Sequence, residues 1–441
     1  MDGAKPCWAS LPRELHLHIL EHVANAHSSP ASPSRGIARY ASVSKDWQDF
    51  FEGMTFKNFV LRLQDLIPFR EHTQSPRRRG YVRHIWLRLE EPHPEEDDPA
   101  LPWNQSRSPF ATATLYLWNT LASWEVDQAG EELTLEISSH TQAGLIRYNN
   151  YTPKDDIDHY LKYLETRSLV PYDEVEPFSH TSLLWIAHMG QGQSISMHSG
   201  AIKALYSYDL RLSRIRLPSV QVVTKFLMRR ANTRNLYPDS LNHIIKSLPR
   251  LKEIHFERWR LCSVGAERRW LQGCLLVEHL ALCFIVDADD FLNNAPNFPE
   301  LKTLTLTAEI FLGVGGNSDE AVERRMKIKT LLLLAALAAC RMPKLELLEI
   351  WNGRNGQVSI FRYKVDSGLA EITWKSTQDD VVVDDDIVKA WEATARVHAR
   401  DDLRSSIIRL PDGQYTYYGS VLPHLESNEH FIHEVSAAQM K

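Results

Sequence analysis

The sequence predicts a mixed fold of the α+β or α/β class, with a small N-terminal group of helices followed by an irregular, repetitive array of strands and helices. Three observations predict it. The first 55 residues carry apolar stripes at helical spacing. A nine-residue phrase with apolar residues at positions 1, 4, 7 and 9 recurs between Leu248 and Ile350. A helical stretch precedes each copy of that phrase.

The N-terminal region runs from Leu11 to Phe51. Ser10 can cap a first helix, and Pro12 stands where its missing N–H would be unpaired anyway. Leu15, Ile19, Leu20 and Val23 then share one face. Tyr40, Val43, Trp47, Phe50 and Phe51 form a second stripe, with Ser44 placed to cap a fresh turn before Trp47. A segment this short lies below the size at which a single core suffices. Each buried leucine or isoleucine is worth about 1.5–3 kcal/mol, so an uncovered stripe favours a partner.

Leu11-Pro12-x-Glu14-Leu15-x-x-x-Ile19-Leu20, followed by Val43-Ser44-Lys45-x-Trp47, resembles an F-box. F-boxes are three-helix modules that dock onto the Skp adaptor of cullin-based ubiquitin ligases. The resemblance implies adaptor contacts at Leu11, Pro12, Leu15, Ile19 and Leu20, with Val43 and Trp47 supporting or joining that surface. One departure is the Ser- and Pro-rich gap from Asn25 to Gly36, longer than the family usually shows. Loop closure cost grows slowly with length, so the gap leaves the docking face intact.

The 441 residues have room for two or three domains. Apolar residues make up 43% and charged residues 24%, an ordinary soluble composition. A net charge of −6 argues against nucleic acid as the main partner. The basic runs Arg77-Arg78-Arg79 and Arg229-Arg230 read as solvated surface. Five cysteines without a Cys-x-x-Cys pair give neither a disulfide framework nor zinc spacing, and read as reduced thiols of a cytoplasmic or nuclear protein. No signal peptide is apparent, because charge interrupts the first apolar stripe. The longest apolar run, Leu331 to Cys340, is about half a bilayer span and reads as a buried helix rather than a membrane segment.

Phe56 to Phe69 continues with a helical pattern, and Val82 to Leu89 alternates as a strand. Glu90 to Pro102 holds six carboxylates and three prolines before Leu101 and reads as a loop or disordered insert. Ala111 to Trp124 reads as a helix and Leu133 to Ile137 as a strand. Asp155 to Leu164 fits a short capped helix, and Gln193 to Met197 a short strand.

The recurring phrase comprises Leu248-Pro-Arg-Leu-Lys-Glu-Ile-His-Phe256, Phe298-Pro-Glu-Leu-Lys-Thr-Leu-Thr-Leu306 and Met342-Pro-Lys-Leu-Glu-Leu-Leu-Glu-Ile350. Cys274 to Leu282 is a fourth copy without the proline. Helix, proline-marked turn and strand, repeated, is similar to leucine-rich repeats. The spacings of 26, 24 and 44 residues are uneven, and the usual asparagine position is taken by Trp259, Ile285, Glu309 and Gly353. An F-box followed by irregular leucine-rich repeats resembles a large group of ascomycete fungal proteins. The expected architecture is a three-helix F-box over residues 1–55, a linking region over 56–200, an irregular leucine-rich-repeat-like solenoid over 201–400, and a C-terminal turn and tail over 401–441.

Late in the chain, Val358–Tyr363 and Ala370–Lys375 fit a hairpin across Asp366-Ser-Gly368. Asp384 to Arg400 reads as a helix with Ile387, Ala390, Trp391 and Val397 inward. A turn at Pro411-Asp-Gly413 and the stretch Tyr415 to Tyr418 precede a polar tail.

Three constellations fall short of catalysis. Gly192-x-Ser194-x-Ser196 lacks the second glycine of a nucleophile elbow. Asp287-Ala-Asp289-Asp290 lacks the EF-hand glycine and terminal carboxylate, since Leu292 and Phe298 stand there, and helix capping suits it better. Gly313-Val-Gly-Gly316 lacks the P-loop lysine. The resemblance implies a non-catalytic substrate receptor without cofactors or metal, whose partners are a Skp-family adaptor, cullin through it, and an unidentified target protein, with no membrane or nucleic acid. The rivals are an F-box scaffold that does not direct degradation, a hydrolase built on Ser194 or the Asp155–Asp158 cluster, and a helical-hairpin mimic without an adaptor, in which Leu15, Ile19 and Trp47 would be buried against residues 60–130.

Overall fold

The structure, a computed structural model, describes nearly all of residues 11–27, 36–90, 109–127, 132–140, 209–229, 235–257, 275–313, 318–378, 383–398, 402–415 and 420–427, with Trp8 and single residues around Tyr160 and His433. In chain order, α1 (Arg13–His27), a 3₁₀ turn (Ala38–Ser42) and α2 (Lys45–Thr55) form the N-terminal module. There follow β1 (Asn58–Leu61), α3 (Leu66–His72), α4 (Pro76–Arg79), β2 (His84–Glu90), α5 (Pro109–Ala122) and β3 (Thr134–His140). Two short strands, β4 (Asp209–Leu210) and β6 (Asn235–Leu236), pair beside β5 (Lys225–Met228) in sequence, and α6 (Pro238–Lys246) comes next. The repeat strands are β7 (Glu253–Phe256), β8 (His279–Ala281) and β9 (Thr303–Thr307), with α7 (Ala288–Asn294) between the last two. The long helix α8 (Asp319–Ala339) leads to β10 (Leu347–Arg354), β11 (Gln357–Asp366) and β12 (Leu369–Ser376). Last come α9 (Asp385–Val397) and β13 (Leu403–Arg409).

Apart from the β4–β6 pair, the strands join in one open eleven-stranded sheet whose order follows the chain, β1-β2-β3-β5-β7-β8-β9-β10-β11-β12-β13. Every pairing is parallel except the two hairpin pairings that flank β11. Each new strand is therefore laid on the edge left by the one before. The backbone repeats the same joint at most steps. The carbonyls of Lys57, Leu133, Thr224, Lys252, Glu278 and Lys302 each accept two successive N–H groups at the start of the next strand, at 2.7–3.2 Å. Charged side chains line the same rim, as in Lys225–Glu253 at 2.9 Å and Lys302–Glu278 at 2.7 Å.

The period-two alternation of strands separates two faces. On one face the register aligns Ile85, Leu135, Phe226, Ile254, Leu280, Leu304, Leu348, Tyr363 and Ile372. These side chains are buried in one continuous core beneath helical residues such as Leu117 and Trp118 of α5, Ile244 of α6, Phe291 of α7, Leu332 and Ala336 of α8, and Trp391 of α9. The helix ends match their caps: Ser318 accepts from Ala321 N at 3.3 Å, and Asp384 from Ile387 N at 3.1 Å.

The helix at Ala111–Trp124, the repeat strands and the hairpin across Gly368 (φ +94°) form as their patterns imply. Several stretches differ from expectation. Phe56 to Phe69 begins as β1, because pairing with β2 outweighs a helical apolar pattern. Arg77 and Arg78 are not solvated surface: both bind Glu52 of α2, and Arg229 is buried. Val397 points to solvent, while Thr394 and Ala395 take the inward positions of α9. A second hairpin joins β10 to β11 through Gly356 (φ +82°). The C-terminal region is not a free polar tail. It supplies the edge strand β13 and then returns across the sheet. Gln193–Met197, Ser194, Asp155 and Asp158 lie outside the described residues.

Candidate functional site

The N-terminal module has its own small core. Leu20 and Ala24 of α1 pack with Ile37 and Phe51, surrounded by Trp8, Tyr40, Trp47 and Met54. The Trp47 ring lies 5.6 Å from Phe51 and 5.8 Å from Trp8, and the Trp8 ring stacks on His16 at 4.1 Å. Ser44 accepts the N–H of Trp47, which starts α2 where the sequence placed a cap. Of the residues expected on a docking face, Leu20 lies in this core, and Leu11 and Trp47 are half-buried. Pro12 is exposed, as are Leu15 (47%), Ile19 (39%) and Val43 (59%). Leu17 is also exposed, and helical periodicity alone did not single it out.

A charged joint fixes this module to the sheet. Glu52 is buried and receives Arg78 at 2.8 Å and Arg77, which also reaches Asp49 at 2.7 Å. Burial pushes the Glu52 carboxyl up, but Arg78, Gln48 and Arg77 outweigh it and leave its pKa below the ordinary value.

The second surface is the face of the sheet away from the helices. Here the register aligns Trp86, Glu136, Leu227, His255, Ala281, Thr305, Glu349, Arg362 and Thr373. Three buried carboxylates anchor it. Glu136 accepts from Arg229 Nε at 2.7 Å, His84 Nε2 at 2.9 Å and the Tyr160 hydroxyl at 2.5 Å. The Arg229 guanidinium also stacks on the Tyr160 ring at 3.3 Å. Burial would raise the Glu136 pKa, yet Arg229 and His84 hold it low, while burial and then Glu136 push Tyr160 well up. Glu257 faces His255 at 3.0 Å and accepts the backbone N–H of His433 at 2.5 Å. Glu349 accepts from Arg362 Nε at 2.7 Å.

The remaining lone pairs of Glu349 are satisfied by the end of the chain. The N–H groups of Glu426 and Ser427 donate to it at 3.2 and 2.9 Å, and the Ser427 hydroxyl also donates. Arg362 donates to the His424 carbonyl at 2.6 Å and to Glu426 at 2.8 Å. Val421, Leu422, Leu425 and Ile432 join Trp351, Val358, Ile360, Ala281 and Cys283 in a second apolar cluster. Further along, the His433 ring meets Tyr160 and Tyr163 edge-on at 5.4 and 5.1 Å. The tail thus crosses from β11 back toward β7. No periodic signal announces such a path, because its contacts are made with partners far away in sequence, as between His433 and Glu257, 176 residues apart.

One local detail links the missing asparagine to this tail. A Cβ on Gly353 would stand 2.6 Å from Cγ2 of Val421. Glycine is needed there for close approach. The neighbouring Asn352 donates to the Ala308 carbonyl at 2.9 Å. Trp351 and Trp374 are core residues. Asp287 caps α7 through Asp289 N at 3.1 Å and accepts Glu309 N at 2.7 Å, in keeping with a structural role.

Among the described residues, no helix is long and apolar enough to cross a membrane. A model described as a family of unknown function (DUF6546) matches residues 230–433, a span that takes in the later strands and the returning tail. None of the curated proteins matches the chain.

Proposed function

We propose that the protein is a non-catalytic receptor subunit of a Skp-cullin-F-box ubiquitin ligase, docking a Skp-family adaptor through α1, α2 and the turn between them and holding a target protein on the repeat-like sheet. The observation that carries this reading is the exposure of Pro12, Leu15, Ile19 and Val43 on a module whose own core is already closed by Leu20, Ala24, Ile37 and Phe51. An apolar surface outside a completed core is what a docking partner covers. The parallel strands in chain order and their repeated carbonyl joints suit an irregular leucine-rich-repeat-like solenoid. The mechanism is proximity. The Glu52–Arg77–Arg78 joint ties the two binding surfaces into one body, which raises the effective concentration of target lysines near the ligase.

Co-purification with a Skp-family adaptor tests this reading. Wild type is expected to retain the adaptor, and Leu15→Asp/Ile19→Asp to lose it while keeping its thermal unfolding midpoint. A folded wild-type protein that ignores the adaptor removes the reading.

A further inference from the structure

The returning tail is held on the polar face by side chains of the sheet, which bind its backbone as well as its side chains. Two backbone N–H groups and the Ser427 hydroxyl sit on Glu349, while Arg362 reaches the His424 carbonyl and, with Lys364 (2.7 Å), the Glu426 carboxylate. Leu422 and Leu425 fill the apolar floor beside Trp351 and Ile360. These are main-chain contacts plus a leucine pair, one hydroxyl and one acid, presented by a 3₁₀ turn over Leu422–His424, so a segment with those features in the same turn satisfies the same groups.

The choice of buried groups points the same way. A face built only for stability is served by apolar packing, as the opposite face shows. A buried carboxylate–guanidinium pair contributes little net stability, because desolvation offsets the attraction. What such a pair provides is geometric selectivity for what lies against it. Gly353 adds a cleared site for the Val421 side chain.

We propose that the polar face across β8, β10 and β11 is a segment-binding groove, filled in cis by residues 421–427, which takes in trans a target segment that makes the same single 3₁₀ turn and carries a leucine pair followed by an acidic residue and a serine or threonine. The tail is then an internal competitor that a target must displace. This deepens the target half of the receptor reading and rests on it. The adaptor half is tested separately.

The test uses the full chain and a fluorescein-labelled peptide of residues 418–436, read by anisotropy. Leu422→Asp/Leu425→Asp in the protein releases the tail, and this variant is expected to bind the peptide at least about ten-fold more tightly than wild type. A peptide bearing Leu422→Asp and Ser427→Asp is expected to bind neither protein. Equal binding to released and wild-type protein overturns the proposal. So does loss of cooperative unfolding in the released variant, because the tail would then be core rather than ligand. Ile19→Asp is expected to leave peptide binding unchanged, so failure of adaptor docking and failure of the groove give different results.

Discussion

The two faces of the sheet use the same strands, one residue out of phase, and solve burial in opposite ways. On the helix side, Leu135, Ile254, Leu304 and Leu348 meet α5 through α9 in a continuous apolar layer. Any helix with a leucine stripe can cover such a layer, since hydrophobic burial is non-directional. On the other side, Glu136, His255, Glu349 and Arg362 are also buried, and their cover must match them group by group. Tyr160, Ser427 and His433 provide that match. The two faces therefore differ in what can cover them: apolar packing suffices for the first, whereas the second also needs a cover whose polar groups match its own.

The largest effects are expected where either face is broken outright. Trp374→Ala removes a ring buried against Phe311 at 5.0 Å and is expected to cost about 3–5 kcal/mol in denaturant unfolding. Glu136→Ala leaves Arg229 buried without its carboxylate and is expected to cost a similar ~3–5 kcal/mol. The sharper experiment replaces the pair together, as Glu136→Leu/Arg229→Met. That double variant is expected to recover part of the loss, because the desolvation of both charges is relieved, while the His84 and Tyr160 donors that lose Glu136 keep it about 1–3 kcal/mol below wild type. If it stays as unstable as the single variant, the polar face is a stability element after all.

Gly353→Ala is expected to have an intermediate effect. The added methyl group meets Val421 and costs about 1–3 kcal/mol by overpacking. Limited proteolysis is expected to cut first in the tail rather than among the helices. Cleavage spread evenly over the chain would erase the distinction between the faces.

Acid is expected to act on the N-terminal joint and the polar face before the apolar face. Glu52, Glu136 and Glu257 have folded pKa values below the ordinary 4.5, so their contribution is present above that pH and is lost as pH falls through the lower folded values. A pH titration of the unfolding midpoint is expected to be flat from these groups near neutrality and to fall below about 4.5. His424, in the tail, gives a smaller and earlier signal. Burial, then Lys375 and Arg362, hold its imidazole below 6.5, so its neutral form favours the docked tail and protonation loosens it as pH falls below that value. Tail proteolysis at pH 6 against pH 7.5 measures this.

Much of the helix-covered face was legible in the sequence. The phrase ending in Ile254-His-Phe256, Leu304-Thr-Leu306 and Leu348-Glu-Ile350 marks strands by alternation, and the proline between its apolar first and fourth positions marks the turns. The candidate docking surface was legible in part. Periodicity placed Leu15 and Ile19 on one stripe with Leu20, yet only the packed module shows Leu20 inward and its neighbours outward. The polar face was not legible. Arg229 and Glu136 stand 93 positions apart, and Ser427 and Glu349 stand 78 apart, with no period to connect them.

By itself, the sequence determined the mixed α+β class, the N-terminal helices, the recurring helix and strand of the repeat phrases, and which of their residues point to a core, because these follow from local periodicity and caps. The tertiary structure decided the rest. It turned the Arg77–Arg78 run into a joint on Glu52, made Phe59 part of a strand, and laid the chain's end over Glu349 and Glu257. The physical reason is that hydrophobic burial leaves a repeating mark in a sequence, whereas a matched pair of buried polar groups leaves none until the chain brings the two together.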